Sequence, residues 1–168
     1  FIPMCISNMA AGETAIKYGL RGLCSCTVTA CAGGTNAIGD GFRNIRDGYQ
    51  DVMICGGCEA CITPLAIGGF TSMRALCESE DTNRASIPFD LERSGFVLGE
   101  GSGILILEEY EHAKARNAKI YAEIVGYGNT DDAYHITAPH PEGKGASNAI
   151  RLALEEAGFH KETDSLYL

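Results

Sequence analysis

The stretch TVTACAGGTNAIGDGF, Thr27 to Phe42, changes its backbone period within a few residues. SCTVTA, residues 25–30, carries β-branched residues and reads as a strand. From Thr35 to Arg46, the residues Ala37, Ile38, Phe42 and Ile45 recur at helical spacing, with Gly48 just past the end. Between the two lie Cys31, Ala32, Gly33 and Gly34, small enough for a sharp strand-to-helix turn. A turn of that kind exposes the side chain at its apex, as in nucleophile elbows. A thiol there meets the unpaired N–H groups and the dipole of a helix start, which favour the thiolate. The same N–H groups suit the oxyanion of an acyl-transfer step. A cysteine packed into the core at a tight turn fits the same residues, and spacing leaves both readings open.

The rest of the chain alternates in the same manner. Residues 8–18 read as a short helix ending near Gly19, and 51–57 as a short apolar strand. A mixed stretch, 62–77, ends in a helical piece from Thr71 to Cys77, and a polar loop follows at 78–95. A buried strand is expected at 103–108, a charged helix at about 109–117 and another strand at 119–130. After a loop comes an amphipathic helix, 145–159, with Gly158 as its cap. This order points to a layered α/β fold with at least partly parallel strands. No tandem repeat or low-complexity tract interrupts it.

A length of 168 residues is enough for a sizeable core. The formal charge of −9 argues against nonspecific nucleic-acid binding, which needs a basic surface. GILIL, 103–107, is among the densest apolar runs and falls far short of the roughly 20 residues that span a bilayer. No export signal is visible, so a cytoplasmic location is expected. The opening FIPMCISNMA has no initiator Met and reads as the interior of a longer protein. With no export signal, the eight cysteines read mostly as reduced core residues rather than a disulfide framework. CGGCEAC sets Cys55, Cys58 and Cys61 at metal-like spacing, but no fourth cysteine is near and period 3 along a strand end splays the side chains. No metal site is expected. The glycines of GFVLGEGSG fit neither phosphate-loop spacing and point to tight packing.

TACAGGTNAIGDGFRNIRDGYQDVMICGG resembles the active-site region of the β-ketoacyl-acyl carrier protein synthases, of the elongating type II kind within the thiolase superfamily. The resemblance continues in order through TPLAIGGFTSMRAL, the run from PFDLERSG to DAYHITAP, and GASNAIRLALEEAGF. It implies an α/β, thiolase-like αβαβα layered fold, here an incomplete portion. Residues 1–118 would be the later part of the N-terminal half, carrying the nucleophile, and 119–168 the start of the C-terminal half. It implies an acyltransferase of fatty acid elongation: Cys31 takes an acyl chain as a thioester, its own N–H helping to hold the oxyanion, and a decarboxylated malonyl group attacks it. Partners would be acyl carrier protein and a second copy in a homodimer. No resident cofactor is implied, because phosphopantetheine arrives on the carrier.

For binding, the resemblance aligns Phe70 with an acyl-pocket residue, Arg74 with the carrier-docking surface and Thr137 with a loop near the pantetheine channel. Read alone, these are a core aromatic, a solvated arginine and a loop threonine. The family's two catalytic histidines, in HGT and GH motifs, would fall downstream of the last helix. None of the four histidines here takes their place: His112 and His160 read as solvated, His140 as exposed loop and His135 as a loop residue near the site entrance. The chain by itself is therefore not expected to catalyse condensation. Two rivals remain: a polyketide-type ketosynthase, and a non-catalytic thiolase-fold partner subunit, against which Cys31 argues.

Overall fold

The computed structural model describes residues 1–167, which form two compact units: residues 1–56 with 104 onward, and residues 57–103. Among the described residues there are six α-helices: α1 (Ile2–Cys5), α2 (Met9–Tyr18), α3 (Gly33–Arg46), α4 (Pro64–Ser72), α5 (Tyr110–Ala115) and α6 (Lys144–Glu156). Two strands, β1 (Val52–Glu59) and β2 (Gly101–Glu108), form one ladder. Asp51 accepts from the N–H of Glu109 at one end, and the Cys61 thiol bonds Gly99 at the other, so the strands are antiparallel. The expected parallel character survives among the described residues only as a bridge between Leu76 and Phe96.

Helix α2 ends as its sequence predicts, with Gly19 left-handed at φ 66° and its N–H on the Ala15 carbonyl. Helix α3 begins two residues before Thr35 and ends as its sequence predicts, with Gly48 left-handed at φ 79°, its N–H on the Ile45 carbonyl and that of Tyr49 on the Asn44 carbonyl. Two expected strands do not form. Residues 21–28 and 119–130 make no backbone–backbone hydrogen bond among the described residues. Their composition suits a strand, but a strand exists only through a partner's ladder. The expected helix at 71–77 is also displaced: α4 occupies 64–72 and stops before Arg74, whose φ is +53°. Thr63 caps α4 by accepting from the Ala66 N–H at 3.3 Å, with Pro64 in the first turn.

In the first unit, the stretch 126–128 packs on two sides. A Cβ on Gly126 or Gly128 would overlap the carbonyl oxygens of Ala153 and Ala149 in α6. The intervening Tyr127 is buried, its ring filling the space a Cβ on Gly39 of α3 would need. Alternation of period 2 thus sends glycines to one helix and the tyrosine to the other. Gly41 makes a similar close approach to the Cys55 thiol, and an ion pair joins Arg46 of α3 to Glu156 of α6.

At the end of β2, Glu108 accepts from Arg116 at 2.7 and 2.5 Å and pairs with His112 Nδ1 at 2.6 Å. These contacts, Arg116's first and then His112's, hold its carboxyl down from 4.5 to about 2. The folded-state value lies below the unfolded one, so the ionised form favours folding. That contribution is present above about pH 4.5 and is lost as pH falls toward 2. Denaturant midpoints at about pH 6 and about pH 3 should therefore converge in Glu108→Gln relative to the parent protein. An unchanged gap between the two midpoints would remove Glu108 from the acid transition.

Candidate active site

Cys31 sits on a single 3₁₀ turn, Ala30–Ala32, that leads directly into α3. The residue before it, Ala30, holds φ +48°, a conformation uncommon for a residue with a Cβ. The thiol is exposed. The N–H groups of Ala32 and Gly33 close the turn on the carbonyls of Thr29 and Ala30, whereas that of Cys31 donates to no acceptor among the described residues. An exposed thiol beside a free N–H at a helix entrance is an arrangement suited to acyl transfer.

Two side-chain bonds fasten this segment to α3. Thr27 Oγ1 donates to Asp40 Oδ2 at 3.0 Å, and Asn36 Nδ2 donates to Thr29 Oγ1 at 2.9 Å. Asn36 Oδ1 in turn accepts from the Tyr127 hydroxyl at 2.9 Å. Burial and the charge of Asp40 raise the Tyr127 phenol above its usual range, so it stays protonated as a donor, even with the Arg43 guanidinium 4.9 Å from the ring centre. Asn36 and Tyr127 were not among the candidate residues. Their signal was a polar residue three positions before a glycine on the packed side of α3.

An open cleft of about 540 Å³ runs beside the turn, lined by Ala32, Thr35 and Asn36, by the 128–132 and 135–139 loops, and by the start of α6. Thr137 lies on this cleft, which Ala32, the residue after Cys31, also lines. Its N–H and that of Ala138 both donate to His135 Nδ1, at 3.1 and 3.0 Å. His135 is therefore engaged in shaping its own loop. His140 receives a backbone N–H from Glu142 on Nδ1, and its own N–H donates to Asp132.

The other two candidates belong to the second unit. Phe70, at the end of α4, is half-buried and meets Phe96 edge-on with ring centres 6.2 Å apart. Arg74 is exposed and lines a cavity of about 300 Å³ with Leu76, Glu78, Ser79 and Ser94. The remaining cysteines differ sharply. Cys55 is buried, and burial pushes its thiol up, Asp40 adding to the effect. Cys58 is exposed, and Cys61 turns its thiol to the Gly99 carbonyl at 3.6 Å. Among the described residues no group of three His, Cys, Asp or Glu is arranged to hold a metal ion. Cys77 receives hydrogen bonds from Ser94 Oγ at 3.1 Å and the Ser79 N–H at 3.4 Å, which lower its thiol, Ser94 most strongly. No helix among the described residues is long and apolar enough to cross a membrane.

Comparison with known proteins adds the lineage. Residues 1–113 match the model of the beta-ketoacyl synthase N-terminal domain, and 121–165 that of the C-terminal domain. The chain is 61% identical over 162 residues to a 3-oxoacyl-[acyl-carrier-protein] synthase 2 of Synechocystis sp., covering 96% of this chain and 39% of that protein. It is 53% identical over 168 residues to the same-named protein of Staphylococcus aureus, covering all of this chain and 41% of that one. The chain thus spans about two fifths of the length of these relatives. Among solved structures it resembles, at TM-score 0.88 and 44% identity, a type II polyketide synthase acyl-carrier protein in complex with its ketosynthase bound to the hexaketide. That match covers 93% of this chain and 39% of the other. The helices and small sheet seen here are an incomplete portion of this thiolase-like α/β fold.

Proposed function

The chain belongs to the β-ketoacyl synthase family, and from that premise we propose that it carries the acyl-accepting half of a decarboxylative condensing enzyme of fatty acid elongation. The exposed Cys31, held on a strained turn with its own N–H free, carries the reading. The thiolate attacks the thioester carbonyl of an acyl chain delivered by acyl carrier protein. The carbonyl oxygen takes up negative charge, for which the Cys31 N–H is one donor. The bond from carbonyl carbon to pantetheine sulfur then breaks, the acyl group stays on Cys31 and the carrier leaves with its thiol. Attack by a decarboxylated malonyl group would follow, using histidines that a fuller chain of this family supplies.

Supporting roles follow the same proposal. Phe70 lines the acyl pocket, Arg74 meets the acidic carrier through its guanidinium, and Thr137 faces the pantetheine arm along the cleft it shares with Ala32. Residues 1–118 and 119–168 divide between the two halves of the fold. The working unit is a cytoplasmic homodimer, and the phosphopantetheine comes on the carrier. A polyketide-type ketosynthase is the second reading, favoured by the likeness to a polyketide ketosynthase.

The test is competitive alkylation followed by acyl loading in the full-length protein. Limiting iodoacetamide near neutral pH should label Cys31 first, ahead of Cys77, whose sulfur accepts from Ser94 and Ser79, and far ahead of buried Cys55. Incubation with acyl-carrier thioester should then add the acyl mass to the Cys31 peptide alone. Preferential labelling of Cys77, with no acyl mass on Cys31, would sink the proposal.

A further inference from the structure

Asn36, 7% exposed, is the one buried polar or charged residue among the described residues, and both ends of its amide are engaged. Its donor end reaches Thr29, two residues before Cys31; its acceptor end reaches Tyr127, which lies 91 positions away in sequence. Beside it, Thr27 is bonded to Asp40. The two rungs match in spacing. Two residues of extended chain advance about 6.6 Å, and four residues of α-helix about 6 Å, so Thr27 and Thr29 register on Asp40 and Asn36. The rungs end where the strain begins, at Ala30 with φ +48°.

Resting on the reading of Cys31 as the acyl acceptor, we infer that the Thr29–Asn36–Tyr127 chain of hydrogen bonds is the positioning device of the nucleophile. A left-handed alanine is unfavourable by itself and persists where its surroundings fix it. Thr29 is the last residue before that alanine, and its side chain is fixed by a buried amide rather than by an exposed contact. The amide is held at its other end by the Tyr127 hydroxyl, whose ring is wedged against Gly39. The orientation of the Cys31 thiol and N–H is thereby tied to a tyrosine of the segment packed between α3 and α6. Neither the Asn36 nor the Tyr127 side chain bonds the thiol among the described residues; both act on it through Thr29, and Asn36 in addition lines the cleft beside the turn.

The test measures single-turnover acyl loading of Cys31 in the full-length protein, with the carrier concentration for half-saturation. Tyr127→Phe keeps the ring against Gly39 and removes only the hydroxyl. Thr29→Val removes the hydroxyl at an exposed residue, and Thr29→Ser keeps it. Each of the first two should slow loading about tenfold, with half-saturation within about twofold of the parent. Thr29→Ser should restore most of the rate. The double variant Thr29→Val with Tyr127→Phe should be no slower than the slower single one, because both break one chain. If the parent protein does not load Cys31 at all, the nucleophile reading fails and this inference falls with it. If Cys31 loads and both single variants load at the parent rate, the inference is overturned while the nucleophile stands. Effects that multiply in the double variant would equally overturn it. Should Tyr127→Phe fail to fold, the Val and Ser variants of Thr29 decide alone.

Discussion

Serine at position 31 leaves less than about one-thousandth of the acyl-loading rate, with the unfolding midpoint essentially unchanged. The two halves of this expectation come from different features of one site. Cys31 is exposed, so exchanging sulfur for oxygen empties no cavity and breaks no packing. The turn is built from the backbone of 29–33 and from the Asn36 amide, none of which involves the thiol. The N–H of residue 31, the proposed oxyanion donor, is kept as well. What disappears is the sulfur, a stronger nucleophile than a hydroxyl oxygen. A serine hydroxyl needs an adjacent base to compensate, and no histidine among the described residues bonds residue 31. His112 is paired with Glu108, and His135 accepts from two backbone N–H groups of its own loop. The measurement is single-turnover loading from acyl-carrier thioester, read by intact mass beside a denaturation curve. Loading that survives in the serine variant would move the acyl acceptor to another cysteine, with Cys77 the first to test.

The legible and illegible parts of this sequence divide along a physical line. Features decided by a few neighbouring residues were readable: the small-residue turn at Cys31, the left-handed Gly19 at the end of α2, the apolar β1 and β2, and the amphipathic α6. Features that depend on a distant partner were not. The β-branched residues of 25–30 and 119–130 suit a strand, yet no ladder reaches them within the described span. The displaced helix is a different failure. Thr63 and Pro64 are a proper start signal, but the glycine pair at 68–69 reads as a break, and tertiary context carries α4 through both. Asn36 escaped because a polar residue on an amphipathic helix reads as its wet side. The hydroxyls of Thr29 and of Tyr127, the latter 91 residues on, make the buried position tolerable. The turn that carries Cys31 was therefore visible in the sequence, while the hydrogen bonds beneath it were visible only in the fold.

Alanine at Gly128 should cost about 3 kcal/mol of stability, the upper end of what overpacking a core does. Gly126 and Gly128 are two apart, and Ala149 and Ala153 are four apart, so the same match of strand and helix periods that fastens Thr27 and Thr29 to α3 seats this stretch on α6. Here the contact is backbone against backbone. A Cβ at 128 would overlap the Ala149 carbonyl oxygen, which no rotamer change can move aside. Either α6 shifts or the stretch lifts, and lifting it draws Tyr127 away from Gly39 and Asn36. The substitution should therefore do two things at once: lower the denaturant midpoint and slow acyl loading at Cys31. Ala149→Gly in the same molecule should not rescue it, because it deletes a side chain and leaves the colliding oxygen in place. Denaturation of the single and double variants decides the matter. Recovery of stability in the double variant would mean that the close approach is a side-chain contact. A loss of stability with loading unchanged would mean that the 126–128 stretch supports the fold without reaching the nucleophile.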